Sequence, residues 1–102
     1  MKSPTIEFVN HASVIISYED VSILSDPWFN GTAFHDGWRL MYELQDNEIT
    51  DILKKITHVY ISHEHPDHFR PAFLANKNIL RAISTVDLTL SVTLGILLIF
   101  FN

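Results

Sequence analysis

At 102 residues the chain has room for one small domain. Nearly half of it is apolar (47%), which argues against disorder, and a formal charge of −5 with seven scattered basic residues leaves no footprint for nucleic acid or an anionic membrane. It has no cysteine, so disulfides, a zinc–thiolate finger and a cysteine-ligated iron–sulfur cluster are excluded from it.

Thr5–Val9 is rich in β-formers and reads as a first strand. Ser13–Tyr18 and Val21–Ser25 read as two more, joined by the polar pair Glu19-Asp20, so residues 13–25 form a hairpin. Asp26-Pro27 stops the third strand, because Pro27 has no N–H to donate. From Trp28 to Trp38 the chain reads as a long loop, dense in aromatic residues and carrying Gly31 and Gly37. Arg39–Leu44 is ambiguous between strand and helix. Asp46 or Asn47 caps a helix to about Lys55, with Ile49, Ile52, Leu53 and Ile56 on one face. His58–Ser62 is a buried strand, and Pro71–Ala75 starts a second short helix. Strands alternating with a helix indicate an α/β layering. Residues 1–78 form one domain, and residues 79–102 an apolar tail of uncertain origin.

Within that tail, Leu88–Phe101 is uncharged. Its fourteen residues are fewer than the roughly 20 that cross a bilayer, so it reads as a buried strand or helix. A short membrane anchor through 88–101 is one alternative, and a shifted reading frame after about Asn78 is another.

The chemistry concentrates in His63-Glu64-His65-Pro66-Asp67-His68. Three imidazoles and an aspartate follow directly on a buried strand, and these donors suit zinc and iron(II). Residues two apart on an extended chain face the same way, so His63 and His65 can meet one cation. Pro66 turns the chain, which presents Asp67 and His68 to a second cation. A water shared between two ions becomes a nucleophile near neutral pH, and Asp67 can orient it.

This pattern, H-x-H-x-D-H at His63, His65, Asp67 and His68, resembles the metallo-β-lactamase fold superfamily. Phe8-Val9-Asn10-His11-Ala12-Ser13 and Ser25-Asp26-Pro27-Trp28-Phe29 resemble the opening of that family's β-rich half, over roughly residues 5–75. They look most like the branch of CMP-N-acetylneuraminate hydroxylases and ascorbate-phosphate lactonases. The resemblance implies the N-terminal half of an αββα sandwich, a β-rich sheet with one or two helices. It implies that His63 and His65 hold a first ion, and Asp67 and His68 a second. The cofactor is then a divalent metal, zinc with iron or manganese as alternatives, up to two ions in a complete fold. Asp26 becomes a carboxylate that braces the ligands. His11 lies near the substrate or is a plain loop residue.

Two features depart from the family. The hydroxylases carry a Rieske domain, which needs Cys, and after His68 there is no further His and only Asp87 as an acid. The expectation is a truncated metallohydrolase-like chain with an incomplete site. Its reaction is attack of metal-activated water on an ester, lactone or phosphodiester of a small-molecule substrate. The alternatives are an iron-dependent oxygenase component and an inactive fragment. Location reads as cytoplasmic, because the N-terminus lacks a secretory apolar stretch. Substrate identity and oligomeric state stay open.

Overall fold

The computed structural model describes residues 3–62, 65–70, 83–87 and 97–101. The three N-terminal strands form as expected: β1 (Thr5–Asn10), β2 (Ser13–Tyr18) and β3 (Val21–Ser25). They are antiparallel neighbours, with Ile6 opposite Ile16 and Ile15 opposite Leu24. Glu19 turns the hairpin at φ +51°, a left-handed conformation tolerated in tight turns.

The aromatic loop is more ordered than its composition suggests. It contains a small hairpin, β4 (Thr32–Ala33) against β5 (Trp38–Arg39). Phe34, His35 and Asp36 all have positive φ at its tip, and Gly37 N–H donates to the Phe34 carbonyl. Arg70 donates to the Thr32 carbonyl. Gly31 lies beside Arg70 at φ +79°, a left-handed backbone that favours glycine, while a Cβ there would meet only the flexible end of the Arg70 side chain.

The helix α1 (Asp46–Lys55) starts where expected, but its cap is Gln45 rather than Asp46 or Asn47. The Glu48 carboxylate reaches back to accept the Gln45 N–H at 3.1 Å, which satisfies one orphan donor of the first turn. Strand β6 (His58–Ile61) then runs parallel to β3, pairing Leu24 with Val59. A parallel pair needs a long crossover, and residues 26–57 supply it.

Alternation places Ile15, Leu24, Val59 and Ile61 on one sheet face, all buried. Ile52 and Ile56 pack there, with Ile49 and Leu53 partly buried beside them. This is the apolar helix face expected from the spacing. On the opposite face Ile6, Ile16, Tyr18 and Val21 are exposed.

Two strands come from the C-terminal stretch, β7 (Ile83–Asp87) and β8 (Leu97–Phe101). The full order is β1-β2-β3-β6-β8-β7, a mixed sheet with β8 antiparallel to β6. One helix among the described residues and a strand-rich sheet accord with the α/β N-terminal half that was expected. The proposed helix at Pro71–Ala75 lies outside the described residues, as does Leu88–Ile96 of the apolar stretch. No helix among the described residues is long and apolar enough to cross a membrane.

Candidate metal centre

The topology brings three chain reversals to one edge. Strands β3 and β6 are parallel, so their C-terminal ends, Ser25 and Ile61, lie side by side. Strand β2 is antiparallel to β3, so its start and the β1–β2 turn at His11-Ala12 reach the same edge. Ser25 Oγ fastens this corner, accepting the Val14 N–H and donating to the Ala12 carbonyl, both at 3.0 Å. The crevice beyond the carboxyl ends of parallel strands is the usual ligand position in α/β sheets.

Asp26 is the hub of this edge. It is buried (6% exposed) one residue past β3, and its N–H donates to the Tyr60 carbonyl at 2.8 Å. Its carbonyl accepts the Ser13 hydroxyl at 2.7 Å. Its carboxylate accepts Ser62 N–H through Oδ1 and Ser62 Oγ–H through Oδ2, each at 2.7 Å. The same Oδ2 lies 2.9 Å from His68 Nδ1. A carboxylate there fixes the proton on Nδ1, which leaves Nε2 with its lone pair.

Past β6 the chain turns tightly, with His68 N–H and Phe69 N–H both donating to the His65 carbonyl. That turn buries Asp67 (8% exposed) and points its carboxylate back at the β1–β2 turn. Asp67 Oδ2 lies 3.0 Å from His11 Nε2 and 3.4 Å from His68 Nε2. One donor atom each from His11, Asp67 and His68 falls within 4.8 Å of the others. The indole of Trp28 meets the His11 ring edge-to-face, with centroids 5.1 Å apart.

His11 (φ +46°) and Asp26 (φ +37°) both hold left-handed backbone at this edge. His and Asp tolerate that region better than most residues, yet it still costs about 1–3 kcal/mol at each.

Of the sequence candidates, Asp67, His68, Asp26 and His11 are therefore brought together. His65 is exposed and is not one of the three convergent donors, its ring lying 6.4 Å from that of Phe34. His63 lies outside the described residues. Ser62 was missed by the sequence reading. Its signal was its position, the last residue of the expected strand, directly before the histidine cluster.

The donor set fits a divalent metal. Two imidazole nitrogens and a carboxylate oxygen converge, and His68 is held from behind by a carboxylate, as metal-bound histidines commonly are. The atoms that share protons between His11, Asp67 and His68 are the same atoms that would serve as ligands.

The Asp67 carboxyl sits below its ordinary pKa. Burial is the largest single influence and pushes it up. The His11 hydrogen bond and the His68 charge, helped by a backbone N–H, together outweigh burial. A value depressed on folding means that the stability contributed is complete above the unfolded carboxyl range. It is lost as pH falls through the folded value. Metal-free protein should thus lose stability on acidification, and Asp67→Asn should flatten that acid limb. Urea midpoints taken from neutrality down to about pH 3 test this, and identical profiles for the two proteins would refute it.

Comparison with known proteins agrees with the fold. A family model described as a beta-lactamase superfamily domain matches residues 5–95. The chain is 41% identical over 63 residues to the cytidine monophosphate-N-acetylneuraminic acid hydroxylase of Asterias rubens, covering 62% of this chain and 10% of that protein. The hydroxylase of Danio rerio is 36% identical over 64 residues, 63% of this chain and 11% of its own length. A protein of Mycolicibacterium smegmatis named as a Rieske 2Fe-2S iron–sulfur protein is 38% identical over 68 residues, 65% of this chain and 12% of its own. The chain thus spans about a tenth of the length of these relatives. No solved structure matches. Because the family match runs over most of the sequence, the chain belongs to the beta-lactamase superfamily.

Proposed function

We propose that this chain carries the ligand-bearing edge of a divalent-metal centre and that its chemistry is hydrolytic, directed at an ester, lactone or phosphodiester. The observation that supports this most is the convergence of His11, Asp67 and His68 within 4.8 Å, with Asp26 behind His68. Asp67 and His68 would hold the metal from the buried side. His11 adds a third donor, and His63 and His65 are further donors by family resemblance. Zinc suits this set, with iron and manganese as alternatives. When bound, the metal supplies acidification of a water and stabilisation of the negative charge that develops in the reaction.

The residues of the chain do the positioning. Asp26 keeps the His68 proton on Nδ1, so Nε2 stays available on the open side. Asp67, a carboxylate at neutral pH, is the proton acceptor at this edge through Oδ2. His11 Nε2 sits 3.0 Å from that oxygen and holds it in place. Trp28, 1% exposed, closes the space behind the His11 ring.

The names of the relatives favour a second reading, an iron-dependent oxygenase component. Two imidazoles and a carboxylate also form the facial donor set of non-haem iron oxygenases. With no Cys, these 102 residues supply no thiolate to a Rieske cluster.

Elemental analysis after reconstitution with zinc, manganese or iron(II), joined to two assays, separates the readings. Zinc or manganese retained with hydrolysis of a p-nitrophenyl ester, a lactone or bis-p-nitrophenyl phosphate supports the hydrolase. Iron retained with oxygen uptake from a supplied reductant supports the oxygenase. Failure to retain any of the three metals would overturn both.

A further inference from the structure

A second feature adjoins the His11 turn and shares only His11 with the ligand cluster. A cavity of about 520 Å³ lies between the edge strand β1 and residues 39–42, lined by Phe8, Val9, Asn10, His11, Arg39 and Met41 among others. That volume is within the range of small-molecule sites, roughly 300–1,000 Å³. The walls are mainly apolar, and Arg39, Asn10 and His11 are among the polar groups that interrupt them.

Arg39 is the cation of this cavity. It is exposed and forms no salt bridge among the described residues. A guanidinium with no carboxylate partner among the described residues, in a chain of net charge −5, is suited to an anionic group from outside. Asn10 is the second group. Its Nδ2 donates to the Trp28 carbonyl at 2.9 Å and the Tyr42 carbonyl at 3.4 Å, which fixes the orientation of the amide. Its Oδ1 is buried with no partner among the described residues, an orphan acceptor of the kind that native folds rarely leave. His11, the third, belongs to the candidate metal centre as well, so a ligand in this cavity lies beside that centre.

We propose that this cavity is a subsite for an amphiphilic acid, whose carboxylate or phosphate monoester head is held by Arg39. Its apolar body lies along Phe8, Val9 and Met41. Arg39 selects for charge and the β1 edge for an apolar chain, so together they define the substrate class of the adjoining centre. This rests on the hydrolytic reading for its place in a reaction, but not for binding itself.

The test is calorimetric titration of the metal-free chain with octanoate, octyl phosphate and octanol. One or both anions should bind at least about 10-fold more tightly than octanol, as a charge-assisted bidentate contact does. The tighter anion identifies the head group. Arg39→Gln should weaken the anions about 10-fold and leave octanol unchanged, while Arg39→Lys keeps part of the gain. Met41→Glu, at a fully exposed side chain, should weaken the anions by adding like charge without disturbing the fold. The inference is overturned if neither anion binds, if octanol binds as well as the tighter anion, or if Arg39→Gln binds that anion like the parent. A failed metal reading shows instead as absent metal on elemental analysis, with these titrations unaffected.

Discussion

Asp26→Ala is expected to cost about 3 kcal/mol of folding stability, because it strips the acceptor from three donors at once. Ser62 N–H, Ser62 Oγ–H and His68 Nδ1 all converge on this one buried carboxylate. A buried donor left unpaired costs about 1–3 kcal/mol, and the hydroxyl can turn elsewhere, so the sum stays near the lower bound. Asp26→Asn separates stability from ligand orientation. Its amide oxygen can keep the Ser62 N–H bond, while its NH2 faces the Ser62 hydroxyl and His68. The hydroxyl can accept from the amide instead of donating. His68 can accept only by moving its proton to Nε2, which occupies the nitrogen that would face a metal. Asn should therefore cost about 1 kcal/mol of stability but about 10–100-fold in metal affinity. Urea midpoints, competition with a chromophoric chelator, and imidazole nitrogen shifts of His68 measure the three quantities. Unchanged affinity together with an unmoved His68 proton would reduce Asp26 to a strand-ending turn residue.

The parts of the fold that could be read from sequence are those where a local pattern and the tertiary structure agree. The hairpin over residues 13–25 follows from β-branched alternation and a polar pair, and it forms in that register. The helix face of Ile49, Ile52, Leu53 and Ile56 follows from spacing, because the buried sheet face demands an apolar stripe. Its cap moved to Gln45 because Glu48 can reach back only to the residue three before it. The β4–β5 hairpin was invisible, since its tip places Phe34, His35 and Asp36 at positive φ without a glycine among them. The contacts of Arg70 with Thr32 and Gly31 depend on residues far apart in sequence.

The candidate centre divides in the same way. Asp67 and His68 were legible as neighbours because a dense run of ligands after a buried strand has few other uses. The brace from Asp26 was anticipated through family resemblance, and its 42-residue separation from His68 hides it from any local pattern. His11 lies 56 residues from Asp67, and only the antiparallel return of β2 beside β3 brings the two together. A single histidine on a turn gave no hint of whether it meets substrate, metal or solvent.

That ambiguity yields the sharpest expectation for the centre itself, a comparison of His68→Ala, His11→Ala and the double variant His63→Ala/His65→Ala. His68→Ala should lower metal affinity by about 100-fold or more, beyond the roughly 10–100-fold typical for losing an outer partner, because it deletes a donor atom. The double variant should abolish whatever binding depends on the first pair of histidines. His11→Ala decides between two arrangements. If Asp67 and His68 serve an ion without His11, this variant keeps the ligand number and loses little affinity. If the three donors within 4.8 Å share one ion, it should match His68→Ala. The 3.0 Å contact with Asp67 and the edge-to-face hold from Trp28 favour the second outcome, since both aim His11 Nε2 at the cluster. A metal-independent readout accompanies it: without the His11 hydrogen bond, the strongest influence holding the Asp67 carboxyl down, that carboxyl should titrate at higher pH in the metal-free variant. Full metal affinity and an unmoved Asp67 titration in His11→Ala would assign His11 to the turn alone.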